Sequence, residues 1–565
     1  MSPSYSPQWP PGTIRLQTLT SPTSSSPTTT DTLVLQPRPT RDPNDPLNWS
    51  RFRKNLNFAL ACLYSTLVFA FVNATSPTWG PLAGELGFSD KTLTDTYAIG
   101  CATLAVGAPM LIPFALKFGS RPVYTLSSLL QCVISIWAAK TMTVADWWGV
   151  NSLQCFLGAL SEVLAQMTIA DLFFVHERGR KNSWYIWAYN IGSNLAVMVA
   201  GFVTQGAGWR WVWWIFAILF GAESLLFLVG FEETKWVQLE VVEGKEVKVA
   251  GHSATLGEKN IEKTQSGSDE ALDTSAVVSA KGADEAHEPD GGELQTVDTL
   301  TIDPNIPRKT YWQRMAMTTT SPGPWSEVLR HSWQPFIILF TIPGVAFAAL
   351  VYGILTAWST VMTTAVSTYM LDAPYTFDAA QIGLMSLAPF IGSTIGSLIV
   401  GPVSDYVAVH LSKRNGGIYE PEMRFWVFLP FIPFQLAGAW WFAYALDGGK
   451  PWPQVAVAYG MANFGAAPIM SLALTYLLDA YNEIVGDALT AVTIVRNTFS
   501  TIFVFAMPAW IARTGIPNVF NAIGAIGLLI LSFSAVFIWK GKHFRWRFAD
   551  VYSYYAKRQF EARPI

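Results

Sequence analysis

Among the charged side chains inside or against the long apolar stretches of this sequence are Glu162, Glu223, Asp171 and Arg496. An ionised group within a lipid-crossing segment costs several kcal/mol unless it faces a cavity or a partner, so each is a functional candidate. Glu162 follows Gly158-Ala159-Leu160-Ser161 near the middle of the apolar run 150–174. A carboxylate there can attract a cationic molecule or take up a proton, and its structural alternative is a hydrogen bond to a neighbouring segment. Glu223 lies in the later part of the run 211–231, where its structural alternative is a lateral partner. Asp171 stands at the end of its run beside the basic cluster Arg178, Arg180 and Lys181 and reads as holding that loop through ion pairs, a latch of the kind rigid-body transporters use. Arg496, followed by Asn497, needs carboxylate or carbonyl partners, and Asp479 or Asp487, near the same membrane face, could supply them. It reads as a conformational clamp, with Arg121, Arg178 and Asp405 as the other latch candidates.

Uncharged polar and aromatic residues extend the pathway candidates. Asn190 and Asn194 are one helical turn apart, with Tyr185 and Trp187 close by, and Asn463, Tyr476 and Trp358 sit in other apolar runs. A ring beside a carboxylate suits an organic cation or a flat apolar molecule, although Trp and Tyr near span ends also serve as interface belts. Other chemistries find no support. The histidines 176, 252, 287, 331, 410 and 543 are scattered without metal-ligand spacing, and no glycine-rich loop ending in Lys-Ser/Thr cradles a phosphate. We expect no enzyme, no cofactor and no metal. Cys62, Cys101, Cys132 and Cys155 all fall in apolar runs and read as buried thiols.

These residues must be positioned by membrane helices. The chain is 51% hydrophobic and 14% charged, and its net charge of −3 argues against nucleic acid. Apolar runs near the length of a bilayer crossing occupy 55–75, 93–116, 123–139, 150–174, 184–205 and 211–231, then 333–359, 377–403, 423–446, 455–478, 485–511 and 519–539. The polar, mixed-charge stretch between the two groups reads as a linker. The sequence therefore predicts an all-α membrane protein with twelve transmembrane helices in two pseudo-symmetric six-helix bundles. The expected parts are a disordered tail over 1–54, a first bundle over 55–231, a largely disordered linker over 232–331, a second bundle over 332–540 and a tail over 541–565. Residues 1–50 lack the pattern of a signal peptide. Lys117, Arg121, Arg178, Arg180, Lys181, Lys413, Arg414 and Arg424 gather in connections on one side, which the positive-inside rule assigns to the cytosol together with both termini. Two groups of six across a linker is the layout of a duplicated secondary transporter that rocks around a central site.

Several strings carry a resemblance: Asp-Pro-Leu-Asn-Trp-Ser from Asp45, Ala-Asp-Leu-Phe-Phe-Val-His-Glu-Arg-Gly from Ala170, Gly-Trp-Arg-Trp from Gly208, Glu-Glu-Thr from Glu232, Pro-Tyr-Thr-Phe from Pro374, and Asn-Gly-Gly-Ile-Tyr-Glu-Pro-Glu-Met-Arg from Asn415. Together and in this order they resemble the fungal drug/proton antiporter branch of the major facilitator superfamily, in particular its polyamine- and cation-transporter-like members. The resemblance implies an acid at the position of Glu162, a small-molecule substrate, protons as coupling ion, a monomer in the lipid bilayer and residence in the plasma membrane. It also marks departures. Leu116 and Ser120 replace the Asp and one Arg of the loop after the second span, whereas Gly401 and Asp405 survive in the corresponding place of the second half. Gln154 stands where an Arg is usual, and Val197 where antiporters carry Pro. Export of drugs or secondary metabolites is the implied activity. Import of polyamines or other organic cations, or a sensor that keeps the fold without transport, are the alternatives.

Overall fold

The computed structural model describes residues 9–15, 17–18, 32–33, 37, 39–235, 239–242, 246–249, 306–316, 318–319, 321, 324–371 and 373–559. Among them are twelve helices long and apolar enough to cross a bilayer. In the first half these are α1 (Arg51–Asn73), α2 (Asp90–Phe118), α3 (Ser120–Ala139), α4 (Val144–Leu172), α5 (Val175–Ala207) and α6 (Trp209–Gly230). The second half holds α7 (Pro343–Tyr369), α8 (Ala380–Arg414), α9 (Pro421–Asp447), α10 (Trp452–Ala480), α11 (Val485–Thr514) and α12 (Ile516–Arg547).

Local chemistry sets many of the ends. Ser50 caps α1 by accepting from the Arg53 amide, and Thr143 with Asp146 forms a reciprocal capping box at α4. Pro343 opens α7 at the first helical turn, where its missing N–H is not needed. Prolines 109, 113, 402, 468 and 508 lie inside spans, as membrane helices tolerate when neighbouring groups re-satisfy the backbone. In α5 the backbone loosens into a π turn over Ile191–Leu195. Gly192 in that turn lies against α1 so closely that a Cβ would stand 2.3 Å from the Thr66 carbonyl oxygen. A side chain there would push the two helices apart.

The packing is pseudo-symmetric. Pairs α2/α4 and α3/α6 of the first half correspond to α8/α10 and α9/α12 of the second, and the halves meet along α2/α11 and α5/α8. The spans with the most enclosed apolar windows are α1, α4, α7 and α10, at 72, 78, 78 and 89% buried. They recur every third span, so the same helix of each repeat lines the centre.

Three parts of the chain depart from the expected layout. The seventh apolar run divides at Ile342: residues Trp325–Thr341 form a separate amphipathic helix, and the crossing begins at Pro343. That helix buries Val328, His331, Pro335 and Ile338 against α2 and α11 and exposes Trp325, Leu329, Trp333, Phe336 and Phe340. Its apolar outer face continues the hydropathy of α7, so the two helices form one apolar run in the sequence. Part of the stretch expected as a disordered N-terminal tail is built into the structure. Ile14 and Arg15 pair antiparallel with Tyr419 and Ile418, and Asp45 caps a turn over Pro46–Asn48. The C-terminal stretch also continues in helix, through Arg547 and then Ala549–Ala556, and Gln559 donates to Asp487 at 2.7 Å. Most of the expected linker, over 250–305, lies outside the described residues. Taken by itself, the unit 238–301 shows Leu239–Val242 paired antiparallel with Glu246–Val249.

Candidate functional site

Among the described residues two buried charge clusters join the halves, one at mid-depth and one at the end that carries the basic loops. At mid-depth, Glu162 of α4 and Arg496 of α11 form an ion pair at 3.0 Å, and both side chains are buried. The second carboxylate oxygen of Glu162 accepts from the Asn497 side-chain amide at 3.1 Å. Three rings surround the guanidinium: Phe69 of α1 at 5.3 Å, Tyr189 of α5 at 5.6 Å and Tyr352 of α7 at 5.6 Å from their centroids. Phe69 and Tyr189 also meet edge to face at 4.4 Å. Tyr185, one turn before Tyr189, donates to the Ser161 carbonyl at 3.4 Å and so packs α5 beside the Glu162 turn. The centre therefore combines a carboxylate, a guanidinium and π faces drawn from α1, α4, α5, α7 and α11. Such a site can hold charge away from water because the field of each ion is met by the other and by the rings.

The second cluster clasps the basic end. Arg424, at the start of α9, donates through Nε to Asp479 at 2.8 Å and Tyr419 at 2.9 Å, through Nη1 to Ser404 at 2.7 Å and Asp405 at 3.1 Å, and through Nη2 to the Val175 carbonyl at 3.0 Å. From the first half, Arg178 donates to the Leu478 carbonyl at 3.2 Å and to Asn482 at 3.0 Å, and lies 3.6 Å from Asp479. Asp405 accepts from the Arg180 amide at 2.9 Å. Burial and the neighbouring Asp479 carboxylate hold the Tyr419 phenol well above its usual range against the pull of Arg424, so it remains a donor to Asp479 at 2.7 Å. Above the clasp, Asn182 donates to Thr475 and Ser183 pairs with Ser471 across α5 and α10. At the opposite end, Ser76 pairs with Ser367 at 2.9 Å.

The family model for the Major Facilitator Superfamily matches residues 61–367, more than half of the chain. The chain belongs to the major facilitator superfamily. Among its relatives are the uncharacterized MFS-type transporter C1271.10c of Schizosaccharomyces pombe, 28% identical over 92% of this chain and 90% of that protein, and Protein HOL1 of Saccharomyces cerevisiae, 26% identical over 92% and 91%. Of solved structures, the proton:xylose symporter XylE superposes with a TM-score of 0.54 at 12% identity, covering 87% of this chain and 97% of that one. The human organic anion transporter MFSD10 superposes with a TM-score of 0.52, again at 12% identity, covering 85% and 99%. This major facilitator is thus a multi-pass integral membrane transporter of small molecules.

The sequence-predicted residues distribute unevenly over this architecture. Glu162 and Arg496 come together, which corrects the expected partners of Arg496. Asp487 lies nine residues earlier on α11, about 13 Å along the helix axis and out of reach. It accepts instead from Gln334 at 2.8 Å and sits 3.0 Å from His331, while Asp479 belongs to the clasp. Asn190 follows Tyr189 directly, and it bonds the Ile186 carbonyl while accepting from Asn194 at 3.2 Å. Asn463 donates to the Tyr459 carbonyl of its own helix.

Three expected lining residues sit elsewhere. Glu223 lies between α3 and α6, accepting from Ser128 at 2.9 Å inside the first half. Trp358 is fully buried with its ring over Gly527 of α12. Tyr476 packs with Phe425 and Phe537 toward the basic end.

Of the expected latch residues, Arg178 and Asp405 bridge the halves. Arg121 does not: it bonds the carbonyls of Met315, Ala316 and Leu228 and so ties the incoming linker to the first half. Asp171 is half-buried and borders a groove with Asn482, Glu483 and Gly486. Sequence reasoning missed Phe69, Tyr189, Tyr352 and Arg424 as site residues. Only the Tyr185/Tyr189 spacing, which puts both rings on one helix face beside the Asn pair, offered a local signal.

Proposed function

We propose that this major facilitator uses a proton gradient to export drugs or secondary metabolites by alternating access, as a member of the drug/proton antiporter branch, with its basic end in the cytosol of a fungal plasma membrane. The observation that carries the reading is the Glu162–Arg496 pair, a buried carboxylate and its counter-ion contributed by opposite halves at mid-depth. Rocking of the halves separates the two charges, so each must be met by something that arrives, a proton or a substrate group on Glu162. Glu162 is therefore the coupling or binding carboxylate. Arg178 and Asp405 serve as the clasp that keeps the cytosolic end shut while the site faces outward.

A second reading, uptake of polyamines or other organic cations, is favoured by the rings of Phe69, Tyr189 and Tyr352 beside the carboxylate, since π faces and an anion together suit a cation. Val197 in place of the antiporter Pro favours it too. Accumulation of labelled spermidine and of a fluorescent drug, in cells with and without the gene at two external pH values, separates the readings. Drug retention that falls with the gene and depends on pH supports export, and spermidine accumulation that rises supports import. No difference in either would support a sensor without transport. Glu162→Gln is expected to abolish whichever flux is found; unchanged flux removes this carboxylate from the mechanism.

A further inference from the structure

This inference rests on Glu162 being the carboxylate that meets a cationic substrate, and it concerns what Arg496 does there. We propose that Arg496 is a tethered competitor: its guanidinium occupies the seat of the substrate's cationic head, and an organic cation binds by displacing it.

The first support is the surroundings of the guanidinium. A carboxylate at 3.0 Å and three ring faces at 5.3, 5.6 and 5.6 Å enclose a single positive group, and these partners come from four different spans. Carboxylate plus aromatic faces is the environment that recognises quaternary, guanidinium and ammonium ligands in general. Here the protein fills it from within.

The second support is how loosely the seat is filled. A guanidinium carries five N–H donors in a planar fork. Among the described residues the Nε of Arg496 finds no hydrogen-bond partner, although the side chain is buried. A ligand free of the constraint of α11 can set its own N–H groups against the carboxylate, and its entry releases Arg496 from a place where the Nε stays unmet. An unmet donor in a buried site costs free energy that such an exchange recovers.

The third support is charge. A cation added beside a retained Arg496 would place two positive groups around one carboxylate at low dielectric, and Coulomb repulsion at a few Å disfavours joint occupancy. Because Glu162 belongs to the first half and Arg496 to the second, separation of the halves carries the guanidinium away from the seat as the site opens. The unloaded protein then recloses on its own Arg496, which keeps the carboxylate neutralised while the site is out of contact with water.

The test uses the full chain and labelled agmatine, which carries both a guanidinium and an ammonium head, as the transport probe. Arg496→Met, which removes the charge and keeps an unbranched side chain, is expected to lower the KM for agmatine by about ten-fold, well within the like-charge penalty. Arg496→Lys, which keeps a charge, is expected to remain near the wild-type KM. In detergent, millimolar methylguanidinium is expected to raise the thermal midpoint of Arg496→Met and leave the wild type unmoved, a readout independent of transport.

An unchanged or raised KM in Arg496→Met, with agmatine still carried by the wild type and lost in Glu162→Gln, overturns the competitor role and leaves Glu162 in place. If the wild type and Arg496→Met both fail to carry agmatine and methylguanidinium stabilises neither, the cation reading falls and the competitor role with it.

Discussion

Arg496 and Arg424 are both buried arginines that link the halves of the molecule, and they are held in opposite ways. Every nitrogen of Arg424 is bonded, to two carboxylates, a phenol, a hydroxyl and the Val175 carbonyl from the other half. Arg496 has one carboxylate, three rings, of which Tyr352 also meets it through the hydroxyl, and, among the described residues, an Nε without a partner. A guanidinium whose fork is filled is a structural joint, since removing it strands several polar groups at once. One held by a single ion, rings and one phenol can be exchanged, because its surroundings suit another organic cation of similar size. The difference separates a fixed clasp at one end from a replaceable occupant at the centre.

The largest expected effect breaks the clasp. Arg424→Ala leaves Asp405 and Asp479 without their main counter-ion and is expected to lose about 3–5 kcal/mol of stability, the usual cost of removing one partner of a buried pair. Thermal unfolding in detergent checks it: a midpoint near that of the wild type would mean the clasp is not a joint. Arg178→Ala should cost less, because Asp479 keeps Arg424, yet it cuts the first half's buried guanidinium out of the clasp. Its expected signature is opening at the basic end. In a background lacking Cys62, Cys101, Cys132 and Cys155, a cysteine at Ser183 is expected to be alkylated faster once Arg178 is gone. Equal rates in both backgrounds would show that the clasp does not hold this end shut.

The centre sharpens the comparison at smaller magnitude. A double-mutant cycle of Glu162→Gln and Arg496→Met, read by thermal unfolding, is expected to give a coupling energy of about 1–2 kcal/mol, below that of the Arg424 and Asp479 pair measured the same way. With both charges removed, the double mutant should be close to the wild type in stability, because desolvation of the pair offsets most of its attraction. A central coupling as large as that of the clasp would erase the distinction between the two arginines.

The order of these effects also explains what the sequence could reveal. The spans were legible because lipid demands long apolar runs whatever their neighbours are. The exception, the start of α7, follows from the same rule: the exposed Trp325, Leu329, Trp333, Phe336 and Phe340 extend an apolar pattern past the point where Pro343 begins the crossing. Glu162 and Arg496 were legible singly, because a charge inside such a run stands out. Their pairing was not, since it depends on the equal depth of α4 and α11, and no local pattern encodes depth. The clasp was the least legible part. Arg178, Asp405, Arg424 and Asp479 come from four separate segments, and the count of basic loops registers their sign without their partners.

The smallest expected effect tests how far the clasp extends into the N-terminal segment. Gly12 has φ +77°, and a Cβ on it would stand 2.6 Å from Cα of Ala480, next to Asp479. Beside it, Arg545 of α12 bonds the Pro11 carbonyl and donates to Thr13 at 2.9 Å, and Ile14 and Arg15 pair with Tyr419 and Ile418. Residues 10–15 therefore pass over the Tyr419–Asp479 side of the clasp. Gly12→Ala adds both a clash with backbone and a left-handed φ that alanine resists, a penalty of about 1–2 kcal/mol. That is enough to undock a short strand held by a few bonds and too little to unfold twelve packed spans. Faster hydrogen exchange confined to residues 10–15 and 418–419, with the thermal midpoint unmoved, is the expected result. A drop in midpoint comparable to that of Arg424→Ala would instead make the N-terminal segment part of the joint itself.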